Sequence, residues 1–317
     1  MMPSSQLLDL VSQTSERAIP EGIEAVGRVL VEKYGSAALG VLLYGSCLRA
    51  RSDQKSLVDC YVLVENYSRA YRSAWLAMAN SLMPPNVFFL NVPFSDRIIR
   101  VKYAVLSLSD FERSVTPRWF HSYFWARFAQ PTVLMMAENS SVKRTVFQGL
   151  AQAVGTFVEK TLPSMPPSFT AEDLWKRGLM LTYGAELRSE PKGRVNTLWV
   201  HDQDYYEQVT QTMLRTQTSY IQIDAEGGKF RYTAQYSDRE RLWNRIGWVI
   251  RTIQGKILSI LRLVKAAFTF QGGADYLIWK IERHSGVKIE LTPAQRRHPI
   301  WTGLTTFWRL YRQGAFR

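Results

Sequence analysis

Cysteine is scarce in this chain of 317 residues: only Cys47 and Cys60 occur. Two cysteines cannot build a disulfide scaffold. With four scattered histidines (His121, His201, His284 and His298) they also exclude an ordinary zinc site. Acidic residues are few, 27 Asp and Glu against 40 Lys and Arg, for a formal net charge of +13. That imbalance implies an anionic partner: nucleotide, nucleic acid or lipid. Long apolar runs are missing too. No stretch approaches the roughly 20 uninterrupted apolar residues of a spanning helix. Met1–Leu10 has neither a charged n-region nor a long apolar h-region, so no secretory signal is expected there.

What is present suffices for a globular protein of two domains. Hydrophobic residues make up 46% and charged residues 21% of the chain, enough for a sizeable core. Apolar spacing predicts a helix over Ile23–Lys33 with Gly35 as its stop, then short strands over Ala38–Tyr44 and Leu57–Val64 around a polar loop, Arg49–Lys55. A helix over Tyr67–Leu82 ends at Pro84-Pro85. Further strands are expected at Val87–Leu90 and Ile98–Ser107. Ser109 is placed to cap a helix through Phe111, and Arg118–Phe128 reads as an aromatic-rich helix. Helices follow over Val142–Leu162, Ala171–Leu187, Asp204–Thr216 and Ser237–Phe270. Pro163–Ser168 reads as a linker. The class is therefore α/β (α+β), with an α/β N-terminal part at 1–162, a mostly helical part at 168–236, and a basic helical region at 237–317.

One pair of segments names a chemistry. Val41-Leu42-Leu43-Tyr44-Gly45-Ser46 is an apolar run ending in Gly-Ser, and Asp59 follows Ser46 by thirteen residues inside a second apolar run. A glycine lets a triphosphate approach the backbone, a serine bonds its oxygens, and an Asp can hold Mg²⁺. This is the outline of a nucleotidyltransferase site; its alternative is a tight turn and a capped strand end.

Downstream segments in the same order extend it. These are Asn86-Val87-Phe88-Phe89-Leu90-Asn91, Val101-Lys102-Tyr103-Ala104-Val105-Leu106-Ser107, and Trp119, Tyr123, Ala126, Arg127 with Gln130-Pro131-Thr132-Val133. Leu181-Thr182-Tyr183-Gly184-Ala185-Glu186-Leu187-Arg188 follows, then Glu190, Arg194 and Asn196. Together, over roughly residues 40–210, the chain resembles the mitochondrial translocator assembly and maintenance family of phosphatidate cytidylyltransferases (CDP-diacylglycerol synthases) and their bacterial relatives. It departs from that family where Cys47 replaces a glycine, Cys60 an aromatic and Glu186 an Asp. The resemblance implies a polymerase-β-like nucleotidyltransferase domain and a small helical or winged-helix domain. It also implies Mg²⁺-dependent transfer of CMP from CTP to phosphatidic acid.

On that reading Asp59 and Lys102 are the catalytic residues, and Tyr44, Gly45, Ser46, Arg127 and Arg188 bind nucleotide. Asp59 holds the metal, with Glu65 or Glu186 as candidate second ligands. Polymerase-like sites use two or three carboxylates, whereas Asp59-Cys60-Tyr61 offers one. Glu65 lies six residues on, about 20 Å along an extended strand, so it reaches the metal only if the strand bends; otherwise it is a strand-end acid. Lys102 interrupts an apolar strand and is read as a phosphate ligand or a sheet-edge lysine. Arg127 and Arg188 are phosphate clamps or surface ion-pair partners. Arg49 and Arg51 steer the triphosphate or lie in a solvated loop.

Trp243–Phe270 carries Trp243, Ile246, Ile250, Ile253, Ile257, Ile260, Leu261, Val264 and Phe268 at three- and four-residue steps, with basic residues between them. Trp243, Arg245, Ile250, Arg251, Ile257 and Arg262 are the expected contacts with an anionic membrane surface; packing of the stripe on the protein's own core is the alternative. The expected location is cytoplasmic, peripheral on the inner face of a membrane. No nucleic-acid partner is expected, although a nucleotidyltransferase acting on RNA, protein or a small molecule, or an inactive nucleotide-binding relative, shares the same motif.

Overall fold

The computed structural model describes residues 3–50, 57–187, 193–215, 221–226 and 229–269. Helix α1 (Ser5–Ser15) is capped by the Ser4 side chain and buries Leu7 and Val11. Helix α2 (Glu21–Tyr34) stops where the chain turns to φ +53° at Gly35. Strand β1 (Ala38–Tyr44), a short helix α3 (Ser46–Ala50) and strand β2 (Val58–Val64) follow. The first residues of the expected polar loop therefore form α3, and 51–56 lie outside the described residues. The helix expected over 67–82 is two pieces, α4 (Tyr67–Ala70) and α5 (Ala74–Leu82), because Ser73 takes extended backbone and caps the second by accepting from Leu76 N. Strands β3 (Asn86–Phe94) and β4 (Arg97–Ser107) form a hairpin. Helix α6 (Leu108–Ser114) is capped by Ser107, two residues before the expected Ser109. The aromatic-rich stretch 118–128 condenses to one helical turn, α7 (Trp125–Phe128). Strand β5 (Val133–Ala137), for which the sequence reading has no strand, pairs with β1.

The five strands run in the order β3-β4-β2-β1-β5. Only β2 and β4 pair in parallel; the other neighbours are antiparallel. Both faces of this sheet are covered. Leu42, Tyr61, Leu63 and Leu106 join one core; Val41, Leu43, Cys60, Val62 and Val105 join another, against Ile23, Val26 and Leu30 of α2. Two buried faces explain why the central strands read as continuous apolar runs instead of alternating ones. Cys47 and Cys60 are buried in the second core and form no disulfide.

Helix α8 (Ser140–Thr161) leads to a two-residue strand β6 (Ser168–Phe169), helices α9 (Ala171–Gly184) and α10 (Arg194–Arg215), and a hairpin of β7 (Ile221–Glu226) and β8 (Lys229–Ala234). Strand order β6-β8-β7 behind two helices gives a winged-helix-like unit. It shares the first core with the sheet: the Trp175 ring stacks 4.3 Å from Phe157 and donates from Nε1 to Thr210 Oγ1 at 2.8 Å. Of residues 163–168, read as a linker, Met165 is buried and 166–168 are exposed.

Helix α11 (Asp238–Thr269) runs 32 residues, about 48 Å at 1.5 Å per residue. Trp248 Nε1 and Asn244 Nδ2 bond the Lys160 carbonyl at 3.2 and 3.0 Å. Arg251 Nε bonds the Phe120 carbonyl at 2.6 Å. A Cβ on Gly255 would overlap the Ala185 carbonyl, so glycine sets how closely α11 crosses the end of α9. Further on, Arg262 and Lys265 reach the Pro84 and Pro85 carbonyls.

Candidate active site

The sheet brings the motif residues together at one end of its inner strands. Antiparallel register sets Tyr44 opposite Asp59, and parallel register sets Asp59 beside Lys102. Lys102 Nζ lies 3.5 Å from Asp59 Oδ1, both side chains partly exposed. Gly45 turns the chain with φ +90°, and a Cβ there would stand 3.2 Å from Asp59 Oδ2. Glycine is thus required by backbone conformation and by the closeness of the carboxylate. Burial, then the Asp59 charge, raises the Tyr44 phenol well above its ordinary value, so it stays a neutral donor.

Arg127 sits beside this group, its side chain mostly buried. Its Nη1 donates to Tyr61 Oη at 2.9 Å, Nη2 lies 3.8 Å from Glu186 Oε2, and its guanidinium stacks 4.3 Å from the Tyr123 ring centroid. Burial works against its charge, but Tyr61, Tyr123, Tyr44 and Glu186 outweigh it and hold the guanidinium charged. Arg262 covers the same tyrosine, its carbon 4.0 Å from the Tyr123 centroid. Its Nη2 is 3.3 Å from His121 Nε2. Burial, then Arg262 and Arg251, lowers His121 to about 3, so the imidazole is neutral and accepts.

Tyr44, Gly45, Asp59, Lys102, Tyr123 and Arg127 line one cavity of about 660 Å³, within the range of small-molecule sites. Six cationic side chains face it, Arg49, Lys102, Arg127, Arg194, Arg262 and Lys265, against the two carboxylates of Asp59 and Glu186. The excess suits a ligand with several negative charges. Arg49 is anchored by Asp202 at 3.9 Å, where α10 leaves helical geometry.

The structure corrects several expectations. Glu65 lies past the other end of β2, bonded through its backbone to Ala37 and paired with Arg69; β2 stays extended from Val58 to Val64 and separates the two acids by its length, so Glu65 cannot share a metal with Asp59. Glu186 does line the cavity, with Arg127 as its partner. Among the described residues, no group of three or more His, Cys, Asp or Glu could hold a metal ion. Arg188 lies outside the described residues. On α11, Trp243, Ile250 and Ile257 are each more than half exposed and Arg245 is exposed. Arg251 and Arg262, expected at a membrane, turn inward: Arg251 is 5% exposed among Phe120, Trp125 and Trp248, and Arg262 lines the cavity. The reason is helical phase. Ile246, Ile253 and Ile260 fall seven residues apart, as do Ile250, Ile257 and Val264, and Arg251, Arg262 and Lys265 lie off that stripe. That phase is the signal by which Arg262 and Lys265 were assignable to the protein's own side.

An α+β protein with a cationic cavity at one end of its inner strands is the class that fold and site define. No family model matches the chain, and no curated protein matches it. Among solved structures, a nucleotidyltransferase-like protein from Exiguobacterium sibiricum 255-15 is similar over 92% of both chains, at 11% identity and a TM-score of 0.27, a likeness too slight to define fold or function. No helix among the described residues is long and apolar enough to cross a membrane.

Proposed function

We propose that the chain is a polymerase-β-like nucleotidyltransferase, and that it transfers CMP from CTP to phosphatidic acid at an anionic membrane surface. The observation that carries this reading is the single cavity joining Gly45, Ser46, Asp59 and Lys102 to a wall formed by α11, whose other face is apolar and exposed. The triphosphate lies against Gly45 and Ser46, and Lys102 and Arg127 balance its charge. A phosphate oxygen of the acceptor attacks the α-phosphorus, a new P–O bond forms, and the α–β anhydride bond breaks with its electrons leaving on pyrophosphate.

Mg²⁺ fits in the mode that relies on substrate oxygens, since it commonly takes one or two carboxylates with phosphates and waters. Asp59 would hold it, and bound there it would neutralise charge on the leaving pyrophosphate. Trp243, Ile250 and Ile257 on the outer face of α11, with Arg245 and Lys256 exposed nearby, suit the headgroup and acyl boundary of an anionic bilayer.

Purified protein with Mg²⁺, labelled CTP and phosphatidic acid vesicles is expected to release CDP-diacylglycerol. Label transferred instead to RNA or to a water-soluble acceptor, with none in lipid, overturns the lipid reading.

A further inference from the structure

Arg262 and Lys265 are one helical turn apart on the cavity side of α11 and come from the same helix that bears the apolar face. Their contacts are built but neutral. Arg262 has the Pro84 carbonyl at 3.3 Å, His121 and the Tyr123 ring; Lys265 bonds the Met83 carbonyl and, at 2.8 Å, that of Pro85. Among the described residues neither has a carboxylate within ion-pair distance. Three of the other four cavity cations differ: Lys102 has Asp59, Arg127 has Glu186 and Arg49 has Asp202. Glu186 acts on Arg262 only through space, while its ion-pair contact is with Arg127; two largely desolvated cations with no carboxylate in contact are costly unless an anion arrives. The reaction brings two anions to one cavity, and the first has Gly45, Ser46 and Lys102 to receive it.

We propose that Arg262 and Lys265 form the subsite for the phosphate monoester of a diacyl acceptor, whose acyl chains run over the apolar face of the same helix. This rests on the CTP-to-phosphatidate reading and adds to it the residues that choose the acceptor. Arg262 offers a planar fork for two phosphate oxygens, and Lys265 a point charge with a third donor beyond its two carbonyl bonds. Leu263 and Ala266 line the same cavity, and Val264 and Phe268 are exposed. A diacyl phosphate can thus keep its headgroup in the cavity with its chains outside. The step balances without a base: the dianionic monoester supplies the attacking electron pair, and pyrophosphate carries away the pair from the broken anhydride bond.

The test is direct titration of the full chain with dihexanoyl phosphatidate below its micellar concentration, in the presence of Mg²⁺ and a non-hydrolysable CTP analogue, with analogue affinity measured separately. R262Q and K265Q are expected to weaken phosphatidate at least tenfold each while analogue affinity stays within twofold. Equal weakening of both ligands, no weakening of phosphatidate, or no phosphatidate binding by the unaltered protein overturns the proposal. Glycerol 3-phosphate is expected to bind more weakly than phosphatidate, yet to lose affinity in both variants; binding equal to phosphatidate overturns the acyl part. If R262Q loses its thermal transition, R262K serves instead, keeping charge and packing but losing the fork, with a three- to tenfold loss expected and no loss overturning the subsite. The two readings fail separately. Loss of phosphatidate binding in the variants without any CDP-diacylglycerol synthesis leaves the subsite and removes the reaction. Synthesis with unchanged acceptor KM in the variants removes the subsite and leaves the reaction.

Discussion

Asp59 and Gly45 are a single device at the residue scale, since a Cβ at position 45 would stand 3.2 Å from the carboxylate. Gly45→Ala is expected to cost about 1–3 kcal/mol through the positive φ and to depress transfer more than folding, measured as the melting transition against turnover. Asp59→Asn is expected to keep the melting transition and to lower kcat at least a hundredfold; unchanged turnover removes Asp59 from the mechanism. Lys265 supplies a pH signature. Burial, then Arg262, lowers its pKa from 10.5 to about 7. Around it stand Arg262 on its own helix, the neutral His121 behind Arg262, and across the cavity Arg127, Glu186, Lys102 and Asp59. As pH rises through 7 the unliganded ammonium loses its proton, so phosphatidate affinity is expected to fall toward pH 9, while the phosphate, with a second pKa near 6, is already dianionic. Stability moves the other way. Between about 7 and 10.5 the unfolded chain binds more protons than the folded one, so stability rises with pH. K265R is expected to flatten the affinity profile, and a slope unchanged in K265R excludes Lys265 as its source. Gly45, Ser46, Asp59 and Lys102 were legible because strand-length apolar runs are interrupted by the residue types that phosphate chemistry needs. The Arg127–Tyr61 bond was not, for it joins residues 66 apart in sequence that only the fold makes neighbours.

Elements divide along the same line. Strands β1, β2 and β4 and helices α2, α8 and α11 follow from apolar period and length, with ends within a few residues. Strand β5 was hidden because Val133–Ala137 is five residues long and apolar throughout, which fits strand and buried helix equally. The β7–β8 hairpin does carry a signal, since Ile221-Gln222-Ile223-Asp224 and Lys229-Phe230-Arg231-Tyr232 alternate about Gly227-Gly228; the reading of long helices on either side passes over it. Tolerance to change is low where α11 crosses α9. Gly255→Ala must push the helix off the Ala185 carbonyl, an overpacking expected to cost about 1–3 kcal/mol. Because that shift also moves Arg262 and Lys265, phosphatidate affinity is expected to fall in the same variant; a stable Gly255→Ala protein with unaltered acceptor affinity contradicts the placement of α11.

For the whole molecule, charge and apolar surface sit on two sides of one helix. Ile250→Glu with Ile257→Glu is expected to abolish flotation with anionic liposomes while leaving turnover on soluble dihexanoyl phosphatidate within about threefold. Loss of both activities together would make that face part of the core. If the inward side of α11 holds the headgroup while its outward side rests among lipid tails, the acceptor is never in free solution. Diluting phosphatidate with neutral lipid at fixed total amount is then expected to slow the enzyme, whereas adding bulk vesicles of constant composition is not. Turnover becomes a property of two-dimensional density, and the nucleotide is the one reactant that arrives through water.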